Sequence, residues 1–313
     1  MVGCSLFLAS ALSFGADVGV VTVLDGNARV LRGVSWYRLI EGARLQDGDV
    51  IDASDHAQVQ IELASGPIVS FVGSAELFAA GAGSREGKQP APAEMYLTRG
   101  WLKLAVKAGA GALRVRSPAG ALATSDGVVV MHAEPEILEA FVERGSVRLI
   151  EPVKAAGEGG AHDLKDGDFA IRASDRPFAS AGAAPQSFVS AMPRQFRDPL
   201  PSRAQLYQVS HVQLVADRPI SYAEAEPWLT GPYRRVFLKR LEPRLADPEF
   251  RALASGKSQA YPEWHSALVP GENAPADKVE APPKPAEKTE KTEKTEKTEK
   301  SESSWWPFGN SKK

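Results

Sequence analysis

Apolar and polar residues alternate with a period of two over much of the first half of the chain. In Ala57 to Leu63, Val59, Ile61 and Leu63 alternate with Gln58, Gln60 and Glu62. In Trp101 to Lys107, Leu102, Leu104 and Val106 alternate with Lys103 and Lys107, and Leu113-Arg114-Val115-Arg116 repeats the pattern. Successive side chains of a strand point to opposite sides, so each run predicts a strand with one buried and one wet face. Val18 to Leu24 and Val128 to Met131 are more continuously apolar and predict central strands. Turn signals fall at Asp25-Gly26, Asp47-Gly48, Ser65-Gly66-Pro67, Ser117-Pro118 and Asp126-Gly127, pairs that supply the positive φ of tight turns. Short strands at this spacing, with no long helical pattern before residue 200, predict a mainly β fold, an antiparallel sandwich over residues 17–176.

Beyond that the pattern changes. Residues 177–203 are rich in Ala, Ser, Pro and Arg and read as a linker, in which Phe196 and Leu200 are expected to lie against a neighbouring surface. Over 204–268 the period is near 3.6, which predicts a small α-helical subdomain. Ser221 can cap a helix carrying Tyr222, Ala225, Trp228 and Leu229, with Pro227 disturbing its end. Pro232 is placed to open a second helix with Tyr233, Val236, Phe237 and Leu241 on its apolar face. Asp247-Pro248-Glu249 opens a third, which bears Phe250 and Leu253 and ends at Gly256. The middle helix carries Arg234, Arg235, Lys239 and Arg240, with Arg244 just after. These are either the solvated side of a packed helix or a basic face for anionic lipid headgroups or a glycan phosphate.

Residues 269–313 form a tail built on a Lys-Thr-Glu triplet, with too few apolar residues to bury, so disorder is expected. It closes on Trp305, Trp306 and Phe308. Standing beyond a charged spacer, these aromatics are expected either to fold back onto the body or to dock on a partner or a membrane interface.

At the other end, residues 1–16 are apolar or small and too short to span a bilayer comfortably. They match the apolar region of a secretory signal, with small residues at Ser13 and Gly15 for cleavage before Ala16. Val2-Gly3-Cys4 also resembles the end of a lipobox, which would make Cys4 a lipidated residue if the true start lies upstream. A periplasmic or cell-envelope location is expected.

Composition narrows the partners. The formal net charge of −2 gives no global drive toward nucleic acid. With one cysteine no intrachain disulfide can form, and His56, His132, His162, His211 and His265 are not spaced as metal ligands. No cofactor or metal is implied. The chain has no G-x-S-x-G elbow, no P-loop, no H-E-x-x-H and no cysteine nucleophile beside a histidine, so a non-enzymatic protein is expected.

One ordered series of motifs points to a family. Gly42-Ala43-Arg44-Leu45-Gln46-Asp47-Gly48-Asp49-Val50-Ile51 resembles the turn of the FecR domain in which a Gly-Asp pair precedes a strand. Arg99-Gly100-Trp101-Leu102, Val115-Arg116-Ser117-Pro118-Ala119-Gly120-Ala121, Val142-Glu143-Arg144-Gly145-Ser146-Val147 and Leu164-Lys165-Asp166-Gly167-Asp168 resemble later steps of that domain, each read as a glycine turn between strands. Ser65-Gly66-Pro67 and Ser125-Asp126-Gly127 depart from the family pattern. The resemblance implies a jelly-roll-like β sandwich. It also brings to mind the family's best-known role, the relay of an outer-membrane signal to an inner-membrane anti-sigma function through a cytoplasmic tail and one transmembrane helix. No such helix follows the signal segment, so that relay is not expected to carry over. Leu45–Asp49 and Leu164–Asp168 are near copies, read as two equivalent turns rather than as calcium loops, since neither continues with the further oxygen ligands such a loop requires.

The expectation for function is an exported, non-catalytic binding or scaffold module for an envelope protein or cell-wall glycan, with peripheral membrane contact through the tail. The alternatives are a FecR-like regulator acting on a membrane partner and, more remotely, a glycan-processing enzyme.

Overall fold

The computed structural model describes residues 17–80, 92–152, 160–209, 212–257, 260–264 and 268. The expected signal segment 1–16, Cys4, and the tail 269–313 with Trp305, Trp306 and Phe308 lie outside them.

The β fold begins with β1 (Asp17–Asp25), β2 (Ala28–Arg32), β3 (Ser35–Arg38), β4 (Arg44–Gln46), β5 (Val50–Ala53), β6 (Gln58–Leu63) and β7 (Ile68–Ala79). It continues with β8 (Ala93–Val106), β9 (Leu113–Ser117), β10 (Gly120–Glu134), β11 (Ile137–Ile150), β12 (Ala161–Lys165), β13 (Phe169–Ala173) and β14 (Ala179–Ala181). A late strand, β15 (Val215–Pro219), completes one continuous sheet whose main path runs β14-β13-β11-β10-β9-β8-β7-β5-β2-β3-β15. The pairings are antiparallel except β8 with β9, so the expected antiparallel sheet is a mixed one. That exception arises because the long β10 bends, pairing with β9 over its first half and β8 over its second.

Bending is what turns one sheet into a sandwich. The long strands β7, β8 and β11 each carry a glycine at positive φ near mid-length: Gly73, Gly100 and Gly145. The β7–β8 register shifts beside Gly73, and the β10–β11 register shifts between Ala123 and Asp126. A bulge or a left-handed residue sharpens the local twist, so the strand can leave one layer and enter the other. Gly100, Gly145 and Asp126-Gly127 are therefore corners inside strands, not the turns between strands that the sequence predicts. Gly26, Gly48 and Gly66 do lie in turns, each at positive φ.

The folded sheet encloses one core, to which Val21, Val59, Ile61, Val69, Phe71, Leu102, Leu104, Val129, Met131, Leu138 and Ala140 contribute from alternate positions. The opposite face is also covered. Leu31, Trp36, Val50, Phe78 and Tyr96 pack against α2 (Tyr222–Thr230), α3 (Arg234–Leu241) and α4 (Pro248–Ser255). Val72, Val130 and Phe169 pack with Phe188 of α1 (Gln186–Ala191) and with Phe196.

Packing runs across two of the boundaries read from sequence. The proposed linker is laid on the sheet, with Phe178, Phe188 and Phe196 buried. The helices share a core with the sandwich, and all described residues fall in one compact unit that ends at Pro270. Ser221 caps α2 through a complete capping box with Glu224, and Asp247 caps α4. In α3 the buried face is Phe237, Leu238 and Leu241, and Val236 faces solvent.

Candidate functional site

The two near-identical turns have the same geometry. Gly48 and Gly167 take φ of 85° and 82°. The Asp49 carboxylate accepts from Gln46 N at 2.9 Å, and that of Asp168 from Lys165 N at 3.0 Å. Their carboxylates close the turns on backbone, which is the structural role expected for them. Among the described residues no group of three or more metal-ligating side chains comes together.

A row of charges crosses the sheet under α2. Arg29 stands opposite Asp52 on β5, and Asp52 opposite Glu76 on β7. Arg29 Nε donates to Asp52 at 2.8 Å, and its Nη1 lies 2.9 Å from Glu224 of α2. Arg218 forks onto Glu224 at 2.7 and 2.8 Å. Trp228 Nε1 donates to Glu76 at 3.2 Å, as does the Thr98 hydroxyl. Burial, and then the charge of Asp52, push the Glu76 carboxyl above its ordinary range. Burial acts the same way on Glu224, but Arg218, Ser221 and Arg29 outweigh it and hold that carboxyl well below the usual range. The row fastens α2 to the sheet. The strand pattern places Arg29, Asp52 and Glu76 on polar faces, but their alignment depends on strand pairing that local sequence does not carry.

The basic residues of α3 do not form one face. Arg240 Nη1 donates to Gly48 O, and its guanidinium lies 4.9 Å from the centre of the Phe237 ring. Arg234 pairs with Glu263 at 2.7 Å. Arg244 donates to Ile220 O and pairs with Asp247. Arg235 and Lys239 are exposed.

Two open surfaces stand out among the described residues. One is a cleft of about 630 Å³ walled by Tyr96, Arg114, Arg116, Ile150, Glu151 and Pro232. Glu94 accepts from Tyr233 at 2.7 Å and lies 3.4 Å from Arg116 of the cleft wall. The cleft is mixed in charge and more apolar than polar. The other surface is the edge of the sheet at β15. All five residues of β15 are exposed, and its pairing among the described residues is to β3 alone. Val215 of β15 is 70% exposed, and the other exposed apolar residues before it include Ile40, Leu206 and Val209 (88%). Their segments are tied together by Tyr207, which donates to Glu41 and accepts from Arg44. A strand edge with no second partner among the described residues is a surface that can take another chain.

Among the described residues no helix is long and apolar enough to cross a membrane. No family model matches the chain, and no curated protein matches it. Two solved structures of a candidate anti-sigma factor from Parabacteroides distasonis ATCC 8503, at 2.50 and 1.65 Å resolution, are similar to it over 45% of its length. The identity is 14% and the TM-score 0.36, and the match spans 62% and 63% of those chains. A likeness of this depth carries no functional weight.

Proposed function

We propose that the protein is a non-catalytic binding module of the bacterial cell envelope that takes a protein partner along the β15 edge. The observation that supports this reading is the β15 edge, whose five residues are all exposed and whose pairing among the described residues is to β3 alone. An extended partner strand gains main-chain hydrogen bonds from such an edge. The test compares the full chain with a Val215→Lys variant in cross-linking to envelope proteins. The expected result is loss of a specific cross-linked species with unchanged melting. Retention of that species at wild-type yield overturns the reading.

The second reading is a FecR-like regulator acting on a membrane partner. The ordered series of FecR-like motifs supports it. Identification of the cross-linked species separates the readings: an inner-membrane regulator favours the second, a soluble or outer-membrane protein the first. Export is part of both. The aromatic tail residues Trp305, Trp306 and Phe308 and the exposed Arg235 and Lys239 are secondary candidates for membrane contact.

A further inference from the structure

The outer face of β6, β7 and β8 carries polar residues where a covered sheet face ordinarily carries apolar ones. Gln60 stands opposite Ser70, and Ser70 opposite Lys103. Thr22 accepts from Gln60 Nε2 at 2.8 Å. All four are buried, Lys103 to 1% exposure, and Glu62 is buried beside them. The period-two pattern reads this as a wet face. It is instead roofed by residues 196–204.

The contacts to that roof go mostly to its main chain. Lys103 Nζ donates to Phe196 O at 2.6 Å and Asp198 O at 3.1 Å, and pairs with Glu143 at 2.8 Å. Gln60 Nε2 donates to Pro201 O at 2.8 Å. Glu62 accepts from Arg203 N, from Ala204 N at 3.0 Å and from the Ser202 hydroxyl at 2.8 Å. A cation thus holds carbonyls at one end and an anion holds N–H groups at the other. Buried charges are costly unless their partners are in place. Two of them aimed at backbone recognise an extended chain largely without regard to its side chains.

The roof leaves part of the row unused. Gln60 Oε1 and Ser70 Oγ have no hydrogen-bond partner among the described residues. The roof over this row carries Pro199 and Pro201, which have no N–H to give. Beside Pro199 and Leu200 a cleft of about 350 Å³ opens between Ile68, Ala105, Val128 and Glu143. We infer that this row is a groove for an extended segment of a partner protein, and that residues 196–204 are an internal occupant which that segment displaces. A competing segment with ordinary residues in place of the two prolines brings N–H donors that the roof lacks.

The test uses the full chain and a labelled synthetic peptide of residues 192–206. In a Phe196→Ser variant, which loosens the roof and leaves the groove intact, the peptide is expected to bind at least tenfold more tightly than to wild type. A peptide carrying Pro199→Ala and Pro201→Ala is expected to bind several-fold more tightly still. Adding Lys103→Met to the variant is expected to remove at least tenfold of the affinity. A Phe196→Ser chain that keeps its β signal but does not take the peptide overturns the proposal. So does one that dimerises by exchanging its own roof, since a second copy is then the occupant. If Phe196→Ser does not fold, hydrogen exchange of the wild type decides. Arg203 and Ala204 amides are expected to open well before those of β6 and β8, and exchange of all of them only with global unfolding overturns the inference.

Discussion

Asp49 and Asp168 each accept the backbone N–H three residues before them, at 2.9 and 3.0 Å, so the β4–β5 and β12–β13 connections are closed by one device used twice. The surroundings differ. Asp49 is 2% exposed and takes a forked pair from Arg32 at 3.0 and 2.6 Å. Asp168 is half-buried beside solvent. Asp49→Asn is therefore expected to cost about 2–3 kcal/mol by leaving Arg32 without its carboxylate, and Asp168→Asn under about 1 kcal/mol. Urea denaturation of the two variants checks the contrast, and equal losses would remove the basis for treating Asp49 as the buried anchor.

The Glu76 carboxyl, raised by burial and by Asp52, gives a pH signature. A carboxyl with a raised folded-state pKa holds its proton more tightly folded than unfolded. Its contribution is present below the ordinary glutamate range and is lost as pH rises through the raised value. Glu76→Gln keeps an acceptor for Trp228 and stays neutral. It is expected to be more stable than wild type at neutral pH, with the gain fading below pH about 4. Melting curves across that range test it, and a variant less stable at neutral pH would contradict the sign.

Gly145 and Gly73 are matched corners with different freedom. Both take positive φ, but a Cβ on Gly145 would meet Asp126 O at 2.4 Å and Gly127 Cα at 2.6 Å, while one on Gly73 meets nothing within 4 Å. Gly73→Ala should cost only the left-handed penalty, about 1–2 kcal/mol. Gly145→Ala should cost about 3 kcal/mol or more, because the β10–β11 corner must shift. Thermal melts of both variants measure the difference.

Arg240 separates structure from surface on α3. Arg240→Gln is expected to cost about 1–2 kcal/mol through the lost bond to Gly48 O and the lost packing on Phe237. Arg235→Gln and Lys239→Gln are expected to stay within about 0.5 kcal/mol. A headgroup-binding face would instead show equal losses of vesicle binding from all three.

What the sequence made legible follows from how local each signal is. Alternation found β6, β8 and β9, and the caps Ser221 and Asp247 found α2 and α4, because those signals lie within a few residues of what they specify. β15 escaped because its five exposed residues carry no pattern; only pairing with β3 makes them a strand. Gln60, Glu62 and Lys103 read as wet because their cover arrives about 100 residues or more later in the chain. Gly100 and Gly145 read as turns because a glycine at positive φ looks alike whether the chain reverses or merely bends.

The pairing of β3 with β15 also sets a timetable. β3 ends at Arg38, and the strand that covers its edge begins at Val215. At synthesis rates of about 5–20 residues per second, that edge waits roughly 10–35 s for its partner to be made. Trp36, on the same strand, waits for the helices that bury it. Throughout that interval the nascent chain offers an open ribbon to any other strand it meets. A chain cut short before residue 215 keeps the β3 edge and Trp36 uncovered.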